Sequence, residues 1–270
     1  MKNLVRKFVP EKVSRFIKES VLIFNKYYYK GSAYYCPVCD NHFRKLLYGG
    51  FDLEVISKLD IIGAGRRINI CPHCQSTDRD RLIFYYLKNK IDIFNQKLKV
   101  LHIAPEPALY KFIKKRKNLV YVTGTKYSEG IYFHENIDSV DLLDMPFKNE
   151  EFDLVICNHV LEHIHDDAKA MSEIYRVLIP GGKAIVQVPI SYKIKETYED
   201  SSIVSNSDRE KHFGQFDHVR IYSGDYKDRL IKAGFDVEKY SALEDDGEDV
   251  YLDSSGLNPK EKLFVGTKEK

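Results

Sequence analysis

Two stretches decide the fold of this chain: DMPFKNEEFDLVICNHVLEHIHD at residues 144–166 and EIYRVLIPGGKAIVQVP at residues 173–189. Each contains a short apolar run with the length of a buried strand, FDLVIC in the first and AIVQV in the second. The residues between the two runs repeat apolar side chains at helical spacing over 167–178. A strand, a helix and a strand in this order predict two parallel strands joined by a crossover helix.

The same alternation extends on both sides of these stretches. Short apolar runs alternate with amphipathic helical segments from residue 99 to the end of the chain. This pattern predicts an α/β fold with a doubly wound, mainly parallel sheet. The predicted strands are Val100–Ile103, Leu119–Thr123, Ser139–Leu143, Phe152–Cys157, Ala184–Val188, Val237–Tyr240 and Leu263–Thr267.

Length and composition place the chain among ordinary globular proteins. It has 270 residues, of which 43% are hydrophobic and 30% charged, which argues against disorder and fits one large domain with a small attachment. No apolar run reaches the roughly 18–20 residues of a membrane span, and no signal peptide is visible. We therefore expect a cytoplasmic protein.

Residues 1–30 form a basic arm. They contain eight Lys or Arg residues and two acids, whereas the whole chain has a net charge of only +2. Apolar residues such as Phe16, Val21 and Phe24 recur near helical spacing, so we predict amphipathic helix here. Two roles fit this pattern: peripheral contact with the inner face of a membrane, or packing against the same chain or a second copy.

Four of the five cysteines form two CxxC pairs, separated by 31 residues. Two such pairs offer four thiolates to one tetrahedral Zn²⁺ ion, which is typical of structural zinc sites. We predict a structural zinc ion in this module, and Gly63-Ala64-Gly65 between the pairs is interpreted as a turn because no third glycine and no helix follow it. The predicted ligands are Cys36, Cys39, Cys71 and Cys74.

The predicted domain organisation has three parts. Residues 1–30 are the helical arm, 31–92 the zinc-ribbon module with a connecting helix, and 93–270 the α/β domain. The connecting helix is expected over residues 77–90, where Thr77 and Asp80 give a start resembling a capping box.

The motifs quoted above resemble the class I S-adenosylmethionine-dependent methyltransferases of type 11, over about residues 97–192. LHIAPEP at 101–107, the two CxxC pairs and FGQFDHVRIY at 213–222 resemble a bacterial subgroup with an N-terminal zinc ribbon. The resemblance implies a Rossmann-like sheet of seven strands with the last strand antiparallel, and S-adenosylmethionine as cofactor. It also implies a small-molecule or glycan acceptor, because such proteins are common among surface-polysaccharide genes.

The resemblance further implies where the cofactor lies, in the crevice beyond the carboxyl ends of the strands. Asp144 and Met145 would hold the adenine, and Asn158 and His159 the methionine part. The first loop departs from the family pattern, since bulkier side chains stand where glycines are usual, and Thr125 stands where an acidic residue usually binds the ribose. The remaining candidates for the cofactor site are His102, Ala104, Pro105 and Glu106, the last with a possible share in ribose binding.

Methyl transfer to a hydroxyl needs a group that accepts the acceptor's proton, and histidine suits this role near neutral pH. The candidate catalytic residues are His218 and His163, with Asp217 expected to orient His218. Arg220 is a candidate for holding an anionic acceptor, although a structural pair with Asp217 is equally compatible with the sequence. His212 and Tyr198 complete the predicted acceptor site.

The sequence therefore predicts a methyltransferase that acts on a saccharide or another small hydroxylated acceptor. Two alternatives remain open at this point. One is a scaffold that has kept the fold and lost the cofactor, as the altered first loop would allow. The other is an RNA base methyltransferase, although the weak overall charge makes a nucleic-acid partner unlikely.

Overall fold

A computed structural model describes residues 11–126, 137–246 and 252–270. The strands are β1 Lys30–Cys36, β2 Asn41–Phe43, β3 Leu47–Gly49, β4 Arg67–Ile70, β5 Leu98–Ile103, β6 Leu119–Thr125, β7 Asp138–Ser139, β8 Phe152–Cys157, β9 Leu178–Ile185, β10 Tyr198–Glu199, β11 Arg220–Ile221, β12 Asp236–Tyr240 and β13 Leu263–Thr267. The helices are α1 Glu11–Tyr28, α2 Glu54–Lys58, α3 Asp78–Asn89, α4 Pro107–Lys114, α5 Asp167–Val177, α6 Asn206–Phe213, α7 Tyr226–Lys232, α8 Ala242–Asp246 and α9 Leu252–Ser255. A short 3₁₀ helix covers Leu161–His163.

A seven-stranded sheet in the order β12-β13-β9-β8-β5-β6-β7 forms the centre of the molecule. Strand β13 is antiparallel to both of its neighbours, and the pairs among β9, β8, β5, β6 and β7 are parallel. The predicted doubly wound Rossmann-like fold with an antiparallel last strand is confirmed. The strand order reverses beside β5, which places the loops after β5 and β8 next to each other at the carboxyl edge.

The central strands form because they are apolar on both faces. Val100, Leu101, Val155 and Ile156 are fully buried, as parallel strands covered on both sides require. One core cluster packs α5 against the sheet, and a second packs α3 and α4 against the other face. The predicted capping box is also confirmed, since Thr77 and the side chain of Asp80 bond reciprocally to each other's backbone N–H.

Five of the seven predicted strands have different bounds in the structure, three of them by one or two residues and two by more. The third was expected over Ser139–Leu143, but β7 ends at Ser139, because the side chain of Asp141 accepts a hydrogen bond from the Leu143 N–H and turns the chain. The fifth was expected from Ala184, but β9 begins at Leu178. Its register shifts against β8, so the Pro-Gly-Gly segment is a bulge inside the strand.

The N-terminal part of the chain builds smaller sheets, β1 with β2 and β3 with β4. It joins the main domain through a two-way backbone contact, in which the N–H of Ile62 donates to the Ile190 C=O and the N–H of Ile190 to the Ile62 C=O. Helix α1 forms within the predicted arm, and most of its apolar residues are exposed, Phe16 at 71% and Phe24 at 63%, whereas Leu22 is half-buried. Among the helices described, none has the length and apolarity to cross a membrane.

Candidate functional site

The four predicted zinc ligands converge in the N-terminal module. The Sγ atoms of Cys36 and Cys74 lie 3.6 Å apart and those of Cys39 and Cys71 lie 3.7 Å apart. Two thiolates bound tetrahedrally at Zn–S distances near 2.3 Å are about 3.8 Å apart, whereas a disulfide needs about 2.05 Å. All four ligand atoms lie within 4.8 Å of one another. The donor set and its spacing therefore fit a zinc ion.

A buried arginine links this module to the end of the chain. Arg81 of α3 is completely buried. Its Nη1 donates to the Ser76 C=O at 2.9 Å, and its Nη2 donates to the C=O groups of Asn69 at 3.0 Å and Gly256 at 2.8 Å. Three peptide carbonyls from three segments are therefore held by one guanidinium.

The loop after β5 keeps the turn geometry that glycine usually provides. Ala104 has φ +46°, a left-handed conformation that costs an alanine about 1–2 kcal/mol. Glu106 is partly exposed and ties this loop to its neighbours, since one carboxylate oxygen is 2.9 Å from His102 Nε2 and the other accepts from Asn158 Nδ2. Because Glu106 is held by two side chains, its role here is to join the loops after β5 and β8.

His102 and Pro105 of the same loop are buried, and the Nδ1 of His102 faces the Tyr121 hydroxyl at 2.9 Å. Thr125 ends β6 and donates its hydroxyl to the Lys126 C=O. Residues 127–136, which continue from β6, lie outside the described residues.

The segment after β7 presents an acidic side chain at the carboxyl edge. Asp144 is exposed, and within the described residues its carboxylate has no hydrogen-bond partner. Met145 beside it is buried, its N–H donates to Glu173 and its C=O accepts from Arg176, each at 3.0 Å. The Asp144 carboxylate therefore lies exposed on a firmly held turn, where its charge acts on the Arg176 guanidinium.

The turn after β8 carries two of the predicted cofactor residues. Asn158 is buried and its Oδ1 atom has no hydrogen-bond partner. His159 has φ +53° and its N–H donates to the Gln187 C=O at 2.8 Å. Burial and the positive charge of Arg79 lower the pKa of His159 to about 4, so the ring is neutral at neutral pH. Both side chains offer polar atoms that the protein itself does not use.

Glu162, in the 3₁₀ helix, is a buried carboxylate surrounded by histidines. It is 1% exposed, and its Oε1 atom lies 3.2 Å from His159 Nδ1 and 4.0 Å from the Nε2 atoms of His163 and His218. Neither carboxylate oxygen makes a well-aligned hydrogen bond. Burial alone would raise the pKa of Glu162, but the three imidazoles outweigh it and hold the pKa at about 2.

The two predicted catalytic histidines stand side by side, with ring centroids 4.7 Å apart. Asp217 lies 3.3 Å from the Nδ1 of His163, so it orients His163 and not His218 as expected. Adjacent residues in this turn point apart, and the Nδ1 of His218 faces the Phe213 C=O at 3.3 Å instead. Burial acts to lower the pKa of both histidines. At His163 the negative charges of Asp217 and Glu162 outweigh burial and raise the pKa, whereas at His218 burial outweighs them and the pKa is lowered.

Arg220 does not offer its guanidinium to an acceptor. It is 3% exposed, its Nε bonds to Glu199, and its Nη atoms donate to the backbone C=O groups of Leu161, Ile164 and His165. It therefore clamps the segment that carries His218 onto the turn that carries His163. The expected pair of Arg220 with Asp217 is not formed.

Glu162, the three histidines around it and Arg220 border a cavity of about 250 Å³, whose lining does not include Asp144, Asn158 or the loop after β5. One wall comes from the main domain and includes His159, His163 and His218, and the other comes from the N-terminal module. The glycine-rich turn at 63–65 belongs to that second wall, with Gly63 and Gly65 at positive φ. Tyr198 and His212, predicted to bind the acceptor, bond to each other at 2.8 Å and do not belong to this lining.

Sequence reasoning missed Glu162 and the wall formed by the module. The sequence does point to Glu162, because this residue lies between His159 and His163 in a loop already assigned to the site. Nothing in the sequence points to Arg79 or to the turn at 63–65, since their approach to the loop after β8 depends on contacts between residues far apart in sequence.

Comparison with known proteins places these features in a family context. Residues 95–186 match the family model described as a methyltransferase domain. A probable S-adenosylmethionine-dependent methyltransferase of Mycolicibacterium smegmatis is 27% identical over 124 residues, 43% of this chain and 44% of that protein. Ajmaline N-methyltransferase of Rauvolfia serpentina is 35% identical over 63 residues, 23% of this chain and 22% of that protein.

The chain therefore spans less than half the length of the curated relatives it matches. Among solved structures, a SAM-dependent methyltransferase from Archaeoglobus fulgidus aligns with a TM-score of 0.47 at 14% identity, covering 72% of this chain and 96% of that one. The chain has a Rossmann-like doubly wound sheet, and within it residues 95–186 match the methyltransferase domain family.

Proposed function

We propose that this chain is an S-adenosylmethionine-dependent methyltransferase that methylates a hydroxyl of a saccharide or another small hydroxylated acceptor. The observation that carries the proposal is the cavity at the carboxyl edge of the sheet, beside the loop after β8. Its lining residues His159, Glu162 and His163 belong to the matched methyltransferase domain, and the others come from the N-terminal module and from residues 189–221. Its volume suits a small molecule, and its lining of three imidazoles, three arginines and two amides suits a hydroxylated one.

The residues that would hold the cofactor fit it chemically. The exposed carboxylate of Asp144 is suited to accept from the exocyclic amine of adenine. The unpartnered Oδ1 of Asn158 is suited to accept from the ammonium of the methionine part. The left-handed backbone at Ala104 preserves the turn at which a cofactor approaches the chain, despite the added Cβ. These three observations support cofactor binding over a scaffold that has lost it.

When bound, S-adenosylmethionine supplies a methyl group on a sulfonium sulfur, and the C–S electron pair stays on that sulfur as the acceptor oxygen bonds to the carbon. The chain's own residues then handle the proton. His218 is the side chain best suited to accept the proton. Its lowered pKa keeps the ring neutral, and because its Nδ1 faces a carbonyl, the Nε2 lone pair is free. His163, oriented by Asp217, is the second candidate.

We also propose that the four-cysteine cluster holds a structural zinc ion. Its sulfur–sulfur distances support this assignment, as does the hydroxyl of Ser76, whose Oγ lies 3.2 Å from the Sγ atoms of both Cys36 and Cys74. A thiolate ligand is commonly stabilised by such outer hydrogen bonds. The ion would fix the module and, through it, one wall of the cavity.

Calorimetric titration with S-adenosylmethionine tests the enzyme proposal. We expect saturable binding by the wild type and much weaker binding by Asp144→Ala. Folded protein that binds no S-adenosylmethionine would leave only the scaffold alternative. Retention on RNA at moderate salt, with a steep salt dependence, would instead indicate an RNA substrate.

A further inference from the structure

We infer that Glu162, His163 and His218 form a binding site for a divalent transition-metal ion, distinct from the four-cysteine cluster. Their ligand atoms lie within 4.8 Å of one another at the wall of the cavity. The two histidines come from segments far apart in sequence, and the backbone holds them together through the bond from the Val219 N–H to the Glu162 C=O at 2.9 Å.

The first observation is the unsatisfied carboxylate. Glu162 is 1% exposed, yet neither of its oxygens has a hydrogen-bond partner within the described residues. Buried carboxylates are found paired, hydrogen-bonded or bound to a metal, because an isolated buried charge is strongly unfavourable. The nearby His159 does not meet this need, since its Nδ1 lies 3.2 Å away without hydrogen-bond alignment.

The second observation is the orientation of the two imidazoles. Each directs Nδ1 at an oxygen acceptor, Asp217 for His163 and the Phe213 C=O for His218. This places the Nδ1 proton on the outer side and leaves the lone pair of Nε2 facing Glu162. Metal-binding histidines show this arrangement, in which an outer carboxylate or carbonyl fixes the tautomer and the ring orientation.

The distances are close to those of a metal site. Each Nε2 lies 4.0 Å from the Glu162 Oε1 atom, whereas two ligands of a tetrahedral zinc-type ion are about 3.4 Å apart. A closure of about half an ångström brings each imidazole to ligand spacing from Glu162, and the two imidazole ligand atoms already lie within 4.8 Å of each other. Two imidazoles and one carboxylate favour Zn²⁺, Fe²⁺ or Co²⁺ over Mg²⁺ or Ca²⁺, and they leave positions open toward the cavity.

The role of this ion rests on the proposed methyl transfer. An acceptor hydroxyl bound to the cation loses its proton more readily. The cation and a proton compete for the same Nε2 lone pairs, so with the ion bound the acceptor's proton leaves to water and not to His218. Asp217 is then a positioning residue for His163.

Metal binding is measured without S-adenosylmethionine, so it can fail or succeed independently of the methyltransferase proposal. The probe is Co²⁺, added to protein whose four-cysteine cluster already holds zinc, with visible absorption recorded. We expect d–d bands to saturate at one added equivalent without a thiolate-to-cobalt charge-transfer band. Glu162→Gln, His163→Ala and His218→Ala should abolish these bands, and His165→Ala, an exposed histidine in the same loop, should keep them.

Asp217→Asn tests whether Asp217 orients His163 as a metal ligand or has only a structural role. We expect it to weaken Co²⁺ binding by about 10–100-fold while its circular dichroism and its cysteine-bound zinc stay unchanged. The inference is overturned if the wild type shows no saturable Co²⁺ bands, or if the bands survive in folded His163→Ala and His218→Ala proteins. In either case the imidazoles serve only as proton acceptors beside Glu162.

Discussion

Replacing Arg81 with methionine tests how firmly the cysteine module is joined to the rest of the chain. Methionine keeps most of the apolar volume of the arginine stem but removes the donors. The C=O groups of Asn69 and Gly256 then lose the donor that Arg81 supplies, whereas the Ser76 C=O still accepts from the Cys71 N–H at 2.9 Å.

The expected cost follows from the two acceptors that lose their donor. A buried polar group left without a partner costs about 1–2 kcal/mol, which gives about 2–4 kcal/mol for two carbonyls. Arg81 is a buried cation with no carboxylate ion pair in the described part of the chain, so its removal also recovers desolvation energy, which offsets part of this cost. We expect a net loss of about 1–3 kcal/mol in the free energy of unfolding.

Urea unfolding of zinc-loaded protein, followed by circular dichroism, measures this loss. The matched control is Arg66→Met, because Arg66 is exposed and its guanidinium lies over the Tyr48 ring, 5.4 Å from the centroid. That contact is worth about 0.5–1 kcal/mol. If Arg81→Met lowers the free energy of unfolding no more than Arg66→Met does, with the same dependence of that free energy on urea, then the Asn69 and Gly256 carbonyls find other partners and the reasoning is wrong.

Three further predictions concern the metal, the cofactor and the pH dependence of stability. Cys36→Ser should reduce the zinc content of the cysteine cluster to near zero and lower the unfolding temperature, as measured by metal analysis and calorimetry, because metal binding and folding are coupled there; unchanged stability after chelation would contradict this. Asp144→Ala should weaken S-adenosylmethionine binding about 10–100-fold, the value of one hydrogen bond to a charged group, while the equally exposed Glu150→Ala should not. Burial and the nearby Asp78 raise the pKa of Glu261 from 4.5 to about 7. The neutral acid is therefore favoured in the folded state, and stability should fall by about 3 kcal/mol as the pH rises from 4.5 past 7. Urea titrations at several pH values should show a smaller loss of unfolding free energy with rising pH for Glu261→Gln than for the wild type. The same loss in both proteins would exclude the raised pKa of Glu261.

Much of the fold could be predicted because its signals are local. The run at 152–157 is apolar throughout, and β8 has these same bounds. The helix after Thr77 begins where its capping box predicts. The predicted extent of the third strand was wrong, because the Asp141 side chain accepts from the Leu143 N–H and turns the chain. A short turn of this kind is hard to distinguish from a strand when its neighbours, such as Val140 and Leu142, are apolar.

The site was harder to predict, because it depends on which partner each polar group chooses. From sequence, Arg220 is equally suited to bind an anion or to hold backbone carbonyls, and only the fold shows that it bonds to Leu161, Ile164 and His165. Likewise, Asp217 is adjacent to His218 in sequence but orients His163. The four cysteines could be predicted to lie together from the spacing of the two CxxC pairs alone.

The cavity with walls from two parts of the chain has a consequence for how such proteins diversify. Gly63 and Gly65 come from the module between the CxxC pairs, whereas His163 and His218 come from the α/β domain. The module can therefore vary one wall of the cavity while His163 and His218 stay the same. A version trimmed to start at residue 93 would lose that wall and also helix α3, which packs against the central sheet, so the module and the core of the α/β domain depend on each other.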